Sequence, residues 1–365
     1  MNIEEKWNLV IKQIEALKQD YDLIEKRING NIALFGAGQF GTAAFEYLKN
    51  SKYRVICFID NAPQKQGMKI DGIPVVSLND ELLKSTDIIL ITAKHAVDSI
   101  KLILDKNKPS MSFDSWFVIK NIKKYQHLKD QIFGDTRSKE CLIGVMLAML
   151  TGNEEFCASI MDFNQYFCLP QFVNRGDEYF VDAGAYVGDG VEKFIWANNG
   201  GFKHIYAFEP GNQQFDALVK RKLRLLNEWA LDENDITLVN AGLGEHESFA
   251  TININKGHLL GANLTVNATD EDGSGIQVFS LDDFIKDNKV TFIKADIEGM
   301  EMEMLKGAIK TIEKNQPKMA LSVYHKPDDL FVIIDFILKI NKEYRIEIRH
   351  HSPLLMDTTI YCWIP

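Results

Sequence analysis

The densest chemistry in this sequence is Lys294-x-Asp296-x-Glu298-Gly299-x-Glu301, one cation and three carboxylates within a single short stretch. Two readings stay open for it. Asp296 and Glu298 hold a Mg²⁺ that orients an acceptor hydroxyl, or Glu298 and Glu301 complement the N-terminus of a following helix. Asp296 is an active-site candidate under each, and Lys294, a further catalytic candidate, neutralises part of the cluster. His325 follows the next apolar run. Its intrinsic pKa near neutrality makes it the candidate general base, with a loop-ordering role as the alternative. His350 and His351 also follow an apolar run but have no comparable neighbours in sequence.

A second constellation is Asp182-x-Gly184-x-x-x-Gly188, preceded by the apolar run Tyr179–Val181. About 20 residues further on, Ile205-Tyr-Ala-Phe-Glu-Pro210 ends in the carboxylate Glu209, which suits the two hydroxyls of a ribose. Asp182 suits a cationic amino group, directly or through water. The loop Asn240-Ala241-Gly242-Leu-Gly244 would border a planar base. An amino-acid end, a ribose and a base in that order describe S-adenosylmethionine (SAM).

A third is Gly36-x-Gly38-x-x-Gly41, between an apolar run and a helical pattern, with Asp60 about 20 residues on. Glycines there permit a tight turn and close approach of backbone to a phosphate, and Asp60 is placed for a ribose hydroxyl. The competing reading is that the glycines serve packing alone. An NAD-linked oxidoreductase using this turn is an alternative function. It leaves Asp182, Glu209 and the acidic cluster unexplained. A non-catalytic protein that binds a nucleotide-sugar is another.

The elements that must position these residues are legible as alternating apolar runs and helical periodicities. That alternation predicts α/β architecture with two doubly wound, Rossmann-like domains. Residues 1–30 form an amphipathic helix (Trp7, Val10, Ile14, Leu17, Tyr21, Ile24), docked on its own domain or against a second copy. Residues 31–120 form the first wound domain, 121–175 a helical connector with a buried helix at Leu142–Leu150, and 176–365 the second wound domain. One helix is expected over Glu301–Asn315. The long Gly- and Asn-rich segment 255–275 is expected to cover an acceptor.

The chain has 365 residues and a formal charge of −10, a poor match to a nucleic-acid backbone. Its five scattered cysteines lack C-x-x-C spacing, which predicts reduced thiols in a cytoplasmic protein. The first residues lack a signal-peptide pattern, and the longest apolar run, Cys141–Leu150, is too short for a membrane span.

Residues 166–363 resemble the FkbM-type SAM-dependent methyltransferases. The matching pieces are Val181-Asp-Ala-Gly-Ala-Tyr-Val-Gly188, Ala207-Phe-Glu-Pro210, Leu281-Asp-Asp-Phe284, Ile293-Lys-Ala-Asp-Ile-Glu-Gly-Met-Glu301, Leu305-Lys-Gly307 and Tyr324-His-Lys-Pro-Asp-Asp-Leu330. Tyr186 stands where that family often has Asn, which bears on contacts around the methionine end of the cofactor. The resemblance implies a class I methyltransferase fold and O-methylation of a hydroxyl, often on a sugar or polyketide-like acceptor. Phe58-Ile-Asp-Asn-Ala-Pro63, Gly67 and Ile70-Asp-Gly-Ile-Pro-Val75 resemble small N-terminal domains of sugar-modifying enzymes. That likeness implies a nucleotide or nucleotide-sugar ligand for the first domain.

Overall fold

The computed structural model describes residues 1–94, 97–104, 108–253, 263–267 and 275–365. They form two compact units. The first is Met1–Met161 with 326–328 and 352–356, and the second is 162–325 with 329–351 and 357–365.

In the first unit, β1 (Asn31–Phe35), β2 (Arg54–Ile59), β3 (Lys69–Ile70), β4 (Ile73–Val76), β5 (Ile88–Ile91) and β6 (Ser110–Ser112) make one sheet. Its order is β3-β4-β2-β1-β5-β6, parallel except for β3 with β4. The strands β1 and β5 are almost wholly buried, as continuous apolar runs in a parallel sheet must be. The helix Ile3–Glu25 starts at an Asn2–Glu5 capping box and buries Trp7, Val10 and Ile24. Its stripe docks within its own unit. Lys6 pairs with Glu140 at 2.6 Å, and Trp116 donates its indole N–H to Glu25 at 2.8 Å.

The expected connector does not stand apart. The helix Thr136–Thr151, which buries Cys141–Gly144 and Met146–Ala148, belongs to the first unit. Residues 162–175 of the expected connector belong to the second. Burying a helix on most sides requires a core around it, so it packs into a domain rather than bridging two.

The second unit contains β7 (Tyr179–Ala183), β8 (His204–Phe208), β9 (Ile236–Val239), β10 (Gly242–Leu243), β11 (Ser248–Asn253), β12 (Asn263–Asn267), β13 (Ile276–Phe279), β14 (Phe292–Ala295), β15 (Lys318–Ser322), β16 (Arg345–His350) and β17 (Thr358–Trp363). Seven of them form the sheet β16-β17-β15-β14-β7-β8-β9, with β17 antiparallel to both neighbours. The chain winds outward from β7 to one side and resumes at β14 on the other. The crevice beyond the carboxyl ends of β7 and β14 is thus a topological switch point, where open α/β sheets bind ligands. An aromatic core, with Phe180 and Phe194 stacked and Phe292 tilted against Phe180, lies in this unit.

Two features depart from the sequence expectation. A separate sheet, β10-β13-β11-β12, takes up part of the long segment 255–275, of which the remaining residues except Gly275 lie outside the described ones. The predicted helix Glu301–Asn315 is two helices, Glu301–Lys306 and Ile309–Asn315. Asp282 causes the break. Its amide donates to the Gly307 carbonyl at 2.9 Å. Its carboxylate accepts from the amides of Lys310 and Thr311 at 3.0 and 2.8 Å, capping the second helix. Asp282→Ala should lower stability by about 1–2 kcal/mol in denaturant melts. A wild-type midpoint and slope would show that the break has another origin.

Candidate active site

Asp182 and Lys294 face one another on the adjacent parallel strands β7 and β14. Lys294 Nζ lies 2.8 Å from Asp182 Oδ1 and donates to the Gly184 carbonyl at 2.7 Å. Both side chains are buried, Asp182 completely. Burial works against the Lys294 ammonium, but Asp182 and Asp296 outweigh it and hold its pKa above the ordinary lysine range. Two expectations change here. The cation at Asp182 is the protein's own lysine, because a fully buried carboxylate needs its counter-charge inside the fold. Lys294 in turn is committed to Asp182 and the glycine turn, so it positions the turn rather than acting on a substrate.

Gly184 has φ +79°, and a Cβ there would lie 2.0 Å from the Asp296 carbonyl oxygen. Only glycine lets the β7 turn rest against the end of β14. Tyr186 follows at φ +48°, and its amide donates to Glu209 Oε2 at 2.9 Å. The amide of Gly211 donates to Glu209 Oε1 at 2.7 Å. Burial pushes the Glu209 carboxyl up from its usual range, and these two amides offset part of the rise. The turn through Gly188 and the acid that ends β8 are therefore one hydrogen-bonded unit. Ala241 and Gly242 are buried, and Gly242 pairs with Val278 in the small sheet. The exposed member of that loop is Asn240, whose side-chain amide donates to the Glu209 carbonyl at 2.9 Å.

Beyond β14 the carboxylates and His325 do converge. His325 Nδ1 lies 3.0 Å from Glu301 Oε1, and its Nε2 lies 3.4 Å from Asp296 Oδ1 and 3.7 Å from Glu298 Oε2. Burial alone would lower the imidazole pKa, but Glu301, Asp296 and Glu298 together raise it to about 10. His325 is therefore an imidazolium near neutral pH. This favours a counter-charge role for His325 over that of the base, since a protonated ring cannot accept a proton. Glu301 is fully buried and also accepts from the Ile297 amide at 2.9 Å, so it serves structure at the first turn of its helix. Asp296 and Glu298 keep 23% and 30% of their side-chain surface exposed, so they are the carboxylates of the cluster that another molecule can reach.

Burial pushes the Asp296 carboxyl up, but His325, Lys294 and a hydrogen bond from Tyr166 hold it below the usual carboxylate range. The Tyr166 hydroxyl donates to Asp296 Oδ2 at 2.6 Å, and that of Tyr324 to Oδ1 at 3.3 Å. No local sequence pattern marks Tyr166, because its partner lies 130 residues away. Among the described residues, the donor atoms of Asp296, Glu301 and His325 fall within 4.8 Å of one another. That grouping is not the expected Mg²⁺ pair of Asp296 and Glu298. Its third donor is an imidazole nitrogen held protonated by the acids around it, whereas Mg²⁺ prefers oxygen ligands. His350 is buried against Thr358, and His351 bridges the Asp162 carbonyl and the Tyr361 hydroxyl, both at 2.8 Å. Neither stands beside the acidic cluster.

In the first unit the glycine fingerprint is already employed. A Cβ at Gly41 would lie 1.9 Å from the Gly36 carbonyl, and the Thr92 hydroxyl donates across the same turn to Gly36 or Phe35 at 3.0 Å. Gly38 is exposed and caps the helix Gln39–Asn50. Asp60 accepts from the amides of Ala37 and Ala62 and pairs with Lys65, at 2.9–3.0 Å. The residues expected to hold a phosphate and ribose thus tie β1 to β2.

The raised pKa of His325 has a consequence for stability. Its folded value of about 10 exceeds the intrinsic 6.5, so its stabilisation is complete below about pH 6.5 and lost as pH rises toward 10. His325→Gln strands the buried Glu301 carboxylate and should cost about 3–5 kcal/mol at pH 7, shrinking toward pH 10. Denaturant melts of both proteins across that window measure this, and a pH-independent difference would place the proton elsewhere.

Comparison with known proteins bears on both units. Residues 182–346 match the family model described as the methyltransferase FkbM domain, and residues 28–112 match one described as C2185-like, N-terminal. No curated protein matches the sequence. The fold is similar to the crystal structure of methyltransferase FkbM from Methylobacillus flagellatus, with a TM-score of 0.61 and 23% identity over 99% of this chain and 100% of that one. It overlaps less with an rRNA methylase from Streptococcus thermophilus (TM-score 0.33, 14% identity, 53% of this chain and 90% of that one). Aeropyrum pernix fibrillarin, solved with bound S-adenosyl-L-methionine, overlaps similarly (TM-score 0.32, 12% identity, 54% and 69%). Among the described residues no helix is long and apolar enough to cross a membrane. The switch-point crevice, the glycine turn and the strand-end acids all lie inside the segment, residues 182–346, that matches the methyltransferase FkbM domain.

Proposed function

We propose that this methyltransferase uses SAM and transfers the methyl group to the oxygen of a hydroxyl, on a sugar or glycan precursor. The observation that carries the reading is the joined unit of the Gly184–Gly188 turn and Glu209, set beside the partly exposed carboxylate Asp296. The residues fit such a cofactor. The turn can carry no side chain at Gly184, and Glu209 is fixed by two amides at the end of β8. Tyr186, Glu209 and the Asn240 loop would hold its amino-acid, ribose and base parts. Asp182 would act through Lys294 and the turn. When bound, SAM supplies a methyl group already activated on a sulfonium.

The protein's remaining task is alignment and proton management. The acceptor oxygen must lie in line with the methyl group, and fixing that geometry provides much of the rate. Its proton must also leave. His325, already protonated, does not take it. Asp296 lies nearest the turn and is ionised, so it accepts the hydroxyl's hydrogen bond and then its proton, with Glu298 beside it. The sugar acceptor is supported by the likeness of residues 58–75 to domains of sugar-modifying enzymes. For the first unit itself, the internal bonds of Asp60 and the packing of Gly41 favour a structural role over a nucleotide site.

Calorimetry with SAH on Glu209→Ala should show binding weaker by about 1–3 kcal/mol. Asp296→Asn should keep SAH affinity and slow transfer from labelled SAM to a panel of sugar hydroxyls by about 10²–10⁴-fold. Wild-type affinity in the Glu209 variant would remove the cofactor assignment. Transfer confined to nitrogen acceptors would remove the O-methyl one.

A further inference from the structure

Tyr166 lies before the matched methyltransferase segment and combines three properties that packing alone does not require. Its backbone sits at φ +71°, a conformation costly for an aromatic residue unless its surroundings impose it. The ring is buried at 4% exposure, with Lys294 Nζ 5.2 Å from its centroid. The hydroxyl reaches Asp296 Oδ2 at 2.6 Å.

A hydrogen-bond chain imposes the backbone geometry. Burial lowers the His351 pKa, so its ring is neutral near pH 7. The Asp162 carbonyl can only accept, so Nδ1 carries the proton and Nε2 is an acceptor. The Tyr361 hydroxyl, fully buried, therefore donates to His351 Nε2 at 2.8 Å and accepts the Tyr166 amide at 2.8 Å. The Tyr361 hydroxyl also borders the Cys168 thiol, and the bonds through His351 and Tyr361 tie the Tyr166 amide to β16 and β17. The strain at Tyr166 is thus maintained by a rigid support, and its output is a short hydrogen bond to the partly exposed carboxylate.

We infer that Tyr166 is a positioning residue, held by Tyr361 and His351, that fixes the Asp296 carboxylate in one orientation with Oδ1 turned to the acceptor. The inference rests on Asp296 being the proton acceptor of methyl transfer. Tyr166 itself touches neither the acceptor nor the cofactor. Removing its hydroxyl leaves the packing in place and takes one donor from the ionised carboxylate. Asp296 should then hold its proton more tightly and rotate more freely.

The test is Tyr166→Phe in the full chain. Carbon NMR of aspartate-labelled protein, with Asp296 assigned by difference from Asp296→Asn, follows the carboxyl through acid pH. The wild-type carboxyl should stay ionised down to the usual aspartate midpoint or below. In Tyr166→Phe the midpoint should rise by about one to two pH units. Tyr361→Phe, which keeps the Tyr166 hydroxyl but frees its amide, should give a smaller rise and serves if the first variant is poorly folded. On sugar acceptors, Tyr166→Phe should lower kcat about tenfold, a loss typical of one hydrogen bond to a charged group. It should also move the acid limb of the pH profile upward, with SAH affinity unchanged. An Asp296 titration identical in folded wild type and Tyr166→Phe overturns the inference. Failure of the wild type to bind SAH would instead overturn the methyltransferase cofactor reading, and leaves the Asp296 titration as a separate result.

Discussion

A buried carboxylate and a buried ammonium on neighbouring strands have no water to turn to, so they must satisfy one another. The Asp182–Lys294 pair is that case, and the site is built around it. The two residues share a register across β7 and β14, so their pairing ties together the strands that bound the switch-point crevice. Lys294 has donors to spare after Asp182, and one goes to the Gly184 carbonyl. That bond sets the first residue of the turn. The turn then lies against the backbone of Asp296, at a distance that excludes any side chain. One ion pair thereby connects the floor of the crevice, the turn above it and the backbone of Asp296 beside it.

The acidic cluster follows the same electrostatic rule with a different outcome. Three carboxylates near one another would be mutually destabilising if all stayed ionised without a counter-charge. His325 supplies it, buried among them and held protonated. Depth then divides the labour. Glu301, fully buried, turns one oxygen, Oε1, to both His325 and the Ile297 amide. Asp296 and Glu298, partly exposed, retain surface for another molecule. A histidine with intrinsic pKa suited to proton transfer has become a fixed positive charge, because its neighbours outweigh its burial.

The two units show how one backbone device can serve different ends. Both have a strand, a glycine-rich turn and a helix, followed by an acid at the end of the next strand. In the second unit the turn and Glu209 are joined through an amide and the acid's other oxygen is held by a second amide at the crevice. In the first, Asp60 is enclosed by two amides and Lys65, while the Thr92 hydroxyl bonds across the glycine turn. Glycine at such a turn reflects a close backbone approach in both cases. Whether the approaching group is a ligand or another part of the chain is not encoded in the motif.

Much of the architecture is legible along the chain, because strands and helices leave their period in local sequence. The runs Tyr179–Ala183, His204–Phe208 and Phe292–Ala295 are recognisable as buried strands, and Gly184, Glu209 and Asp296 follow from what ends them. The N-terminal helix and its apolar stripe are equally plain. Features set by distant contacts are not. The break between Glu301–Lys306 and Ile309–Asn315 depends on Asp282, and the fate of the helix Thr136–Thr151 on the core that encloses it. The chemistry of the site divides along the same line. The residue types at 182, 294, 296, 301 and 325 determine which charges exist, whereas only the folded chain decides which are paired. A side chain's protonation state depends on the field of its neighbours. Those neighbours, Lys294 for Asp182, Glu301 for His325 and Tyr166 for Asp296, are brought into contact by tertiary packing alone.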